Sequence, residues 1–279
     1  MSEADLIAPC EADYLSKSRL MAYVKNPRHF YFTYVEGLRE PENRYMRRGS
    51  RIHLAFEKYY ENVERLGRRP RLSELISLIP SDVLLWADFT EPYISNFLLF
   101  EARRLAASES FGEFCPVAIE EEVWMERPPV DGSPPWMGFA DVIFQAASVP
   151  EIETDEGVVI VDFKTGKSKN ALKYQDQPGN VLDELEYYAM LFESEYEVAA
   201  LGGYYPRDDV FLMDERDDDR RERLIETIEE MVSLDTEMES YPQKPGPLCK
   251  WRADPDCQYA FYEKCNCGWG TAGGPGPTY

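Results

Sequence analysis

Two opposite charges interrupt an apolar run near the middle of the chain. The run VVIVDFKTGK, residues 158–167, carries Asp162 and Lys164 two positions apart. On a β-strand, residues two apart project from the same face. A structural ion pair is the simplest explanation of these charges. The run GFADVIF contains Asp141, however, and a hairpin between the two strands would bring Asp141 beside Asp162 at the end of a sheet.

The two carboxylates predict a metal site. Carboxylates that converge in a dry site repel each other, and a hard divalent ion with oxygen ligands, most often Mg²⁺, relieves the repulsion. Such an ion polarises a phosphodiester and lowers the pKa of bound water, while Lys164 orients the nucleophile and offsets phosphate charge. The residue types therefore predict phosphodiester hydrolysis.

Two predicted helices supply further polar side chains. RRGSRIHLAFEKYYENV has helical spacing, with entry through Gly49, and places His53 and Glu57 on one face. LDELEYYAMLFES is also helical and places Glu184 and Tyr188 on one face. The structural alternatives are a half-buried histidine, and a solvated glutamate beside a core tyrosine.

The remaining sequence predicts the framework. Residues 16–112 are largely helical, with Ser16 as the N-cap of a first helix that Pro27 ends. From Val117 the pattern is that of strands, in VAIEEEVWME, MGFADVIFQAA and GVVIVDFKT, which predict a meander, and EVAALGGYYPR predicts another strand. A long acidic helix is predicted at about 216–240. We expect an α/β fold with a mixed central β-sheet flanked by helices and a helical insertion before the first core strand.

These motifs, in this order, resemble those of the PD-(D/E)xK nuclease superfamily, in its RecB-like and Cas4-like exonuclease branch. GSRIH with Glu57 is similar to the branch's Gly-x-x-x-His-x-x-x-Glu, GFADVIF to its Gly-x-x-Asp strand, and VDFKTGK to its Asp-Tyr-Lys-Thr-Gly strand. SKSRLMAYVKNPRHFYFTYVEGL resembles its opening pair of helices. The resemblance implies a restriction-endonuclease-like fold.

The resemblance also implies roles for the catalytic residues. Asp141 and Asp162 would hold Mg²⁺ or Mn²⁺, with the Phe163 carbonyl contributing, and Lys164 would be the catalytic lysine. His53 would be an additional metal ligand or would steer the scissile phosphate.

Other side chains would contact DNA or support the site. Glu57 belongs to this group, as do Glu184 and Tyr188, which stand where the branch carries Gln-x-x-x-Tyr. The carboxylate of Glu184 would either join the metal shell or weaken the contact with phosphate. Tyr59, Tyr60, Trp136 and Tyr188 are candidates for stacking on unpaired bases, although we expect most of them in the core.

The C-terminal segment, residues 246–279, is rich in cysteine. Iron–sulfur members of the branch use one Cys near the N-terminal helices and three near the C-terminus, but Asn26 and Arg252 stand at two of those positions here. Four thiolates would suit a [4Fe-4S] cluster or Zn²⁺, and reduced thiols of a degenerate site are the alternative. The candidate ligands are Cys10, Cys249, Cys257, Cys265 and Cys267.

The acidic composition bears on location and partners. A net charge of -22 opposes a polyanionic partner at low salt. At molar salt the screening length falls to roughly 3 Å, which removes the repulsion beyond direct contact. Acidity with Arg in excess of Lys is typical of a halophilic, high-salt cytoplasm, and acidity without salt adaptation is the alternative. No apolar run reaches the roughly 18 residues of a membrane helix, so we expect a cytoplasmic protein with no membrane contact.

Together, the sequence predicts a metal-dependent nuclease that hydrolyses DNA, as an exonuclease or on single strands, in DNA repair, recombination or foreign-DNA processing. Expected partners are DNA with free ends or single-stranded DNA, and a helicase or another repair or CRISPR protein. The alternatives are a catalytically weak nucleic-acid-binding subunit of a helicase–nuclease complex, and an acidic α/β protein whose strand charges are structural. We expect a nuclease domain at 1–245, with its sheet core at about 115–210, and a separate Cys-rich segment at 246–279.

Overall fold

The computed structural model describes the chain in five stretches, and these divide into two compact units. The stretches are residues 6–38, 44–84, 92–173, 177–214 and 217–244. The smaller unit takes its described residues from 1–42, 125–137 and 222–279, and the larger unit from 43–124 and 138–221. The predicted boundary at residue 245 lies outside the described residues and stays a prediction.

Helices and strands alternate along the described chain. The strands are β1 (Leu15–Ser16), β2 (Ala118–Met125), β3 (Trp136–Gln145), β4 (Val158–Phe163), β5 (Val198–Tyr205) and β6 (Val210–Asp214). The α-helices are α1 (Lys17–Lys25), α2 (Pro27–Phe30), α3 (Arg44–Leu66), α4 (Ser81–Leu84), α5 (Tyr93–Ala107), α6 (Phe111–Phe114), α7 (Ser168–Lys173), α8 (Val181–Phe192) and α9 (Asp218–Val232). A π-helix follows α2 at Tyr31–Val35, and 3₁₀ turns occur at Pro9–Glu11, Leu72–Leu78, Ala146–Ser148 and Met238–Ser240.

β4 lies at the centre of the mixed sheet, and all six of its residues are buried. It pairs antiparallel with β3, as the predicted hairpin requires, and parallel with β5. A parallel pair needs a crossover, which α7 and α8 provide. β2 pairs with β3, and β5 pairs antiparallel with β6. The mixed α/β sheet predicted from the sequence is therefore confirmed, whereas β6 was not predicted.

Helices cover both faces of this sheet. Val159, Val161 and Phe163 alternate along β4 and pack with α3 and α5 in one core cluster, where the rings of Phe56 and Phe97 stack with their centroids 4.0 Å apart. α8 packs against β4 and β5 on the other face. An apolar face on the sheet and an apolar stripe on each helix account for this three-layer arrangement.

One ion pair lies within the apolar core on the α5 side. Arg104 and Glu101 are both 0% exposed, and the Arg104 guanidinium donates to Glu101 Oε1 at 3.0 Å. It also donates to the Phe114 carbonyl at 2.8 Å and to Ser148 Oγ at 3.0 Å, while the Tyr60 hydroxyl donates to Glu101 at 2.9 Å. The network ties α5 to α3 and α6.

The smaller unit contains the predicted first helices. Ser16 caps α1 by accepting from the Arg19 amide at 3.4 Å, and α1 ends before Pro27, as predicted. The Tyr23 hydroxyl donates to Glu230 of α9 at 2.8 Å, and the Arg28 side chain donates to the Tyr241 carbonyl at 2.8 Å. α1 and α9 are therefore held together within this unit.

Two predicted helix limits were wrong. α3 begins at Arg44, so Gly49 lies inside the helix and is not its entry. A Cβ on Gly49 would lie 3.3 Å from Thr165 Oγ1, so the glycine permits a close approach there. α9 ends at Val232 instead of about 240, because the Asp235 carboxylate accepts from the Glu237 amide and forms a turn.

Candidate active site

Asp162 and Lys164 lie at the C-terminal end of β4 in the larger unit. The Lys164 amide donates to the Tyr204 carbonyl at 2.8 Å, so the backbone stays extended one residue beyond the strand. The side chains of Asp162 and Lys164 therefore lie on the same face of the extended chain, and Lys164 Nζ lies 2.7 Å from Asp162 Oδ2. The side chain of Asp162 is 7% exposed and that of Lys164 is 21% exposed. The ion pair is therefore largely shielded from water.

Asp141 reaches the same place from β3. Val142 lies opposite Val161 in the β3–β4 register, which puts Asp141 next to Asp162 where the paired region ends. The Phe163 amide donates to Asp141 Oδ2 at 2.6 Å. The side chain of Asp141 thus binds the β4 backbone where the two strands separate.

α3 brings His53 to Asp141. His53 Nδ1 lies 3.5 Å from Asp141 Oδ2. Burial lowers the pKa of His53, but the hydrogen bond and negative charge of Asp141 outweigh burial, so the net pKa is raised. His53 therefore carries positive charge more readily than a free imidazole. Glu57, one turn further along α3, accepts from Lys58 Nζ at 2.8 Å.

α8 supplies Glu184 and Tyr188 from the opposite layer. The Asn180 side chain caps α8 by accepting from the Leu182 and Asp183 amides. One turn in, Glu184 Oε2 lies 2.6 Å from Lys164 Nζ, so the ammonium is shared with Asp162.

Tyr188 is buried one turn further along α8. Burial raises the pKa of Tyr188 well above its usual value, and the charge of Asp162 raises it further. A Cβ on Gly138 would lie 2.6 Å from Leu191 Cδ2 and 3.1 Å from Tyr188 Cε1. Glycine at this position is what lets α8 pack directly on β3.

Glu120 on β2 is a site residue that the sequence interpretation missed. Partial desolvation, and then the negative charges of Asp141 and Glu57, raise the pKa of Glu120 to about 7, and His53 lowers it. Its φ of 48° lies in the left-handed region, which a non-glycine residue rarely adopts. Three consecutive glutamates in VAIEEEVWME were the available signal, because they break the alternation expected of a half-buried strand.

Phe139 is a second missed residue. Burial alternates along this part of β3: Gly138 and Ala140 are buried, whereas Phe139 is 43% exposed. Phe139 and Asp141 are two residues apart, so their side chains leave the strand on one face about 7 Å apart.

The aromatic residues proposed as base-stacking candidates are instead buried. Tyr59, Tyr60 and Trp136 are at most 1% exposed, and Tyr188 is 4% exposed. Their expected place in the core is confirmed, and this burial argues against stacking on bases by these side chains.

The donor set of the site suits a hard divalent cation. Asp141, Asp162 and Glu120 offer carboxylate oxygens, and His53 offers an imidazole nitrogen. Burial first, and then the negative charges of Asp141 and Glu57, raise the pKa of Glu120, and a cation would offset those charges. Within the described stretches, no group of three or more His, Cys, Asp or Glu side chains is placed to hold a metal ion; Asp141 accepts from the Phe163 amide, and Asp162 pairs with Lys164. The role of the Phe163 carbonyl stays a prediction.

The cysteine predictions fall mostly beyond the described chain. Cys10 is exposed and forms no disulfide with a described residue. The C-terminal candidates Cys249, Cys257, Cys265 and Cys267 lie outside the described residues. A cluster or zinc site therefore stays a prediction.

The mixed sheet carries two acidic residues and a lysine at the ends of two adjacent strands, an arrangement compatible with hydrolysis of a phosphodiester. The family model of the PD-(D/E)XK nuclease superfamily matches residues 14–262, and the chain belongs to that superfamily. A search of curated proteins found no match. Among solved structures, the crystal structure of SSO0001 is similar at 16% identity, over 94% of this chain and 89% of that chain, with a TM-score of 0.40.

Proposed function

We propose that this protein is a Mg²⁺- or Mn²⁺-dependent deoxyribonuclease. The observation that carries the proposal is the convergence of Asp141, Asp162 and Lys164 where β3 and β4 separate. Membership of a nuclease superfamily supports hydrolytic chemistry. A purely structural ion pair explains Lys164 and Asp162, but it does not explain why Asp141, His53 and Glu120 crowd the same point.

The proposed mechanism assigns each side chain a task. Asp141, Asp162 and the Phe163 carbonyl would hold the cation, with His53 as a further ligand or as a guide for the scissile phosphate. A bound divalent ion supplies Lewis-acid polarisation of the phosphate and a more acidic water. The Lys164 ammonium, held in place by its contacts with Asp162 and Glu184, orients the attacking water and offsets charge on the phosphate.

Phe139 supports a preference for unpaired bases. A solvent-exposed ring beside a candidate catalytic carboxylate offers a face to a base next to the scissile phosphate. Base–aromatic stacking contributes about 1–3 kcal/mol per base and needs the base out of a duplex. We therefore propose single-stranded DNA or frayed ends as the substrate, cut by an exonuclease of the RecB-like and Cas4-like branch in repair, recombination or foreign-DNA processing.

The proposed setting is a salt-rich cytoplasm. The chain has 52 acidic residues against 30 lysines and arginines. None of the helices in the described stretches is both long and apolar enough to span a bilayer. An acidic surface keeps a protein hydrated and dispersed where salt screens its charges.

A catalytically weak binding subunit of a helicase–nuclease complex is the second candidate. The observation that favours it is the double pairing of Lys164, whose ammonium is engaged by two carboxylates. Glu184 replaces the neutral Gln of the related motif and is the source of the second pairing.

A cleavage assay separates the two candidates. Labelled single-stranded and double-stranded DNA, and RNA of the same sequence, would be incubated at low and high salt with Mg²⁺, Mn²⁺ or EDTA. The variants are Asp162→Ala and Lys164→Ala, with Asp155→Ala as the matched control because Asp155 is an exposed carboxylate in the loop before β4.

We expect metal-dependent cleavage of single-stranded DNA by wild type and Asp155→Ala, and a loss of at least a hundredfold in the two site variants. Equal cleavage by all variants, or cleavage in EDTA, would refute the proposed site. Binding without cleavage under every condition would favour the binding subunit.

A further inference from the structure

The last two residues of β5, Tyr204 and Tyr205, lie on opposite faces of the sheet. Tyr204 belongs to the core cluster on the α3 and α5 side, where its ring stacks on Phe100 with the centroids 4.5 Å apart. Successive residues of a strand point to opposite faces, so the Tyr205 side chain lies on the α8 side. Gly203 has the same orientation as Tyr205, since a Cβ on it would lie 3.2 Å from Val181 Cγ2 of α8.

The parallel register places Tyr205 beside Lys164. Asp162 lies opposite Gly203 in the β4–β5 register, and the Lys164 amide donates to the Tyr204 carbonyl at 2.8 Å. That bond continues the parallel ladder by one residue beyond β4. Lys164 therefore lies opposite Tyr205, about 4.8 Å away across the sheet.

The side chains of Lys164 and Tyr205 lean in the same direction. Lys164 Nζ lies 2.7 Å from Asp162 Oδ2, so the lysine extends back along its own strand. A Cβ on Gly203 would lie 3.6 Å from Tyr205 Cε2, so the tyrosine ring extends back along β5 over Gly203. Gly203 is the neighbour of Asp162 on the adjacent strand. The phenol and the ammonium therefore lie side by side.

The charges of the candidate active site act on the Tyr205 hydroxyl. Burial raises the pKa of Tyr205 to about 12, the charge of Lys164 lowers it, and the charges of Glu184 and Asp162 raise it. The hydroxyl therefore stays protonated at neutral pH and remains a hydrogen-bond donor. A neutral donor beside an ammonium suits an anionic oxygen.

Packing alone does not account for a tyrosine at this position. Tyr205 is 5% exposed, and phenylalanine would fill the same space. The Tyr204 hydroxyl donates to the Asn96 carbonyl at 2.9 Å and to Asp209 Oδ1 at 2.8 Å. Among the described residues, the Tyr205 hydroxyl has no comparable partner. A donor beside the site without a protein acceptor is available to an oxygen of the substrate.

We propose that Tyr205 contacts the substrate, and that its hydroxyl donates a hydrogen bond to a non-bridging oxygen of the phosphate that Lys164 contacts. This inference rests on the nuclease function proposed above and adds a residue of β5 to its site. A phosphate in this place would meet the Lys164 ammonium and the Tyr205 phenol together. The contact is charge-assisted, because the accepting oxygen is anionic.

Tyr205→Phe tests the contact, because it removes the hydroxyl and keeps the ring. The matched control is Tyr204→Phe, which removes the hydroxyl of the preceding residue on the opposite face of the sheet. Because the control loses two hydrogen bonds, it also shows how much destabilisation alone affects activity. Circular dichroism and a urea midpoint for each variant would verify folding.

Two measurements separate binding from cleavage. Fluorescence anisotropy of a labelled single strand would give the Kd with Ca²⁺ in place of Mg²⁺, and electrophoresis would verify that the strand stays intact. Steady-state kinetics with Mg²⁺ would give kcat and KM. The binding measurement would be repeated with a single neutral methylphosphonate linkage moved along the strand.

Tyr205→Phe should raise the Kd for the single strand about tenfold, as expected for loss of one hydrogen bond to a charged group. KM should rise by a similar factor and kcat should change less than about threefold, since the contact is present before and during the reaction. Tyr204→Phe should stay within about twofold of wild type in Kd and KM. One position of the methylphosphonate should remove the difference between wild type and Tyr205→Phe, and the effect of Lys164→Met on Kd should be smallest at that same position.

The outcomes distinguish this contact from the nuclease proposal. A Kd and KM of Tyr205→Phe that match wild type, equal losses in Tyr204→Phe, or a difference that no methylphosphonate position removes would overturn the contact. If wild type cleaves DNA in that case, the nuclease proposal stands. A loss of binding confined to Tyr205→Phe, with no cleavage by wild type in Mg²⁺ or Mn²⁺, would support the contact and refute the nuclease proposal alone. A wild type that neither binds nor cleaves would overturn both.

Discussion

Replacement of Lys164 by methionine should abolish cleavage and at the same time tighten metal binding. Lys164 Nζ lies 2.7 Å from Asp162 Oδ2 and 2.6 Å from Glu184 Oε2. An ammonium on Asp162 competes with a cation for the same carboxylate. Methionine keeps much of the length and packing of the lysine stem but removes the competing charge, so Asp162 becomes more available to the metal.

The size of this effect follows from the geometry. At 2.7 Å and an effective dielectric constant near 20, two unit charges attract by about 6 kcal/mol before desolvation is subtracted. Hydrogen bonds to charged groups contribute about 1.5–3 kcal/mol net. Loss of that competition should lower the Kd for Mn²⁺ by roughly tenfold to a hundredfold.

Isothermal titration with Mn²⁺ would measure this change in wild type and Lys164→Met. Arg221→Met is the matched control, because Arg221 forms an ion pair of the same 2.7 Å length with Glu193, outside the candidate site. The control should bind Mn²⁺ like wild type. An unchanged or weaker affinity in Lys164→Met, with the fold intact by circular dichroism, would show that the cation does not use Asp162.

Two further variants test the second carboxylate on Lys164 and the buried core pair. Glu184→Gln should lower KM for DNA severalfold and change kcat by less than about threefold, because it removes a charge that repels phosphate but keeps a hydrogen-bond acceptor for Lys164. Steady-state kinetics would measure KM and kcat. A KM higher than that of wild type would contradict the reasoning. Arg104→Met should lower the free energy of unfolding by about 3–5 kcal/mol, since it leaves the charge of Glu101 buried without its partner, and the double variant with Glu101→Leu should recover most of the loss. A free energy of unfolding, measured by urea denaturation, within about 1 kcal/mol of wild type for the single variant would count against this account.

The sheet and the two aspartates could be predicted because their signals are local. β3 and β4 are apolar runs of strand length, and a hairpin register brings Asp141 and Asp162 together without knowledge of any other element. The other candidate site residues were predicted from the resemblance to the family motifs. The pairing of Lys164 with Glu184 could not be predicted in the same way, because it depends on where α8 packs across the sheet.

Exposure was the other property that the sequence did not reveal. Tyr59 and Phe139 are both aromatic and both lie near motif residues, but one is 0% exposed and the other 43% exposed. Which of them faces water depends on how α3 and the strands pack in three dimensions. Glu120 was missed for a related reason, since its orientation depends on a backbone conformation that a residue pattern does not specify.

The positive φ of Glu120 lowers the stability of the folded protein. A non-glycine residue in the left-handed region costs about 1–2 kcal/mol, and Glu120 adds a carboxylate to a group already crowded with negative charge. Glycine at this position would relieve both penalties. Laboratory evolution that selects for heat resistance alone should therefore replace Glu120 early, whereas selection that also requires cleavage should retain it, and the difference between the two lineages would show whether catalysis or folding has kept this residue.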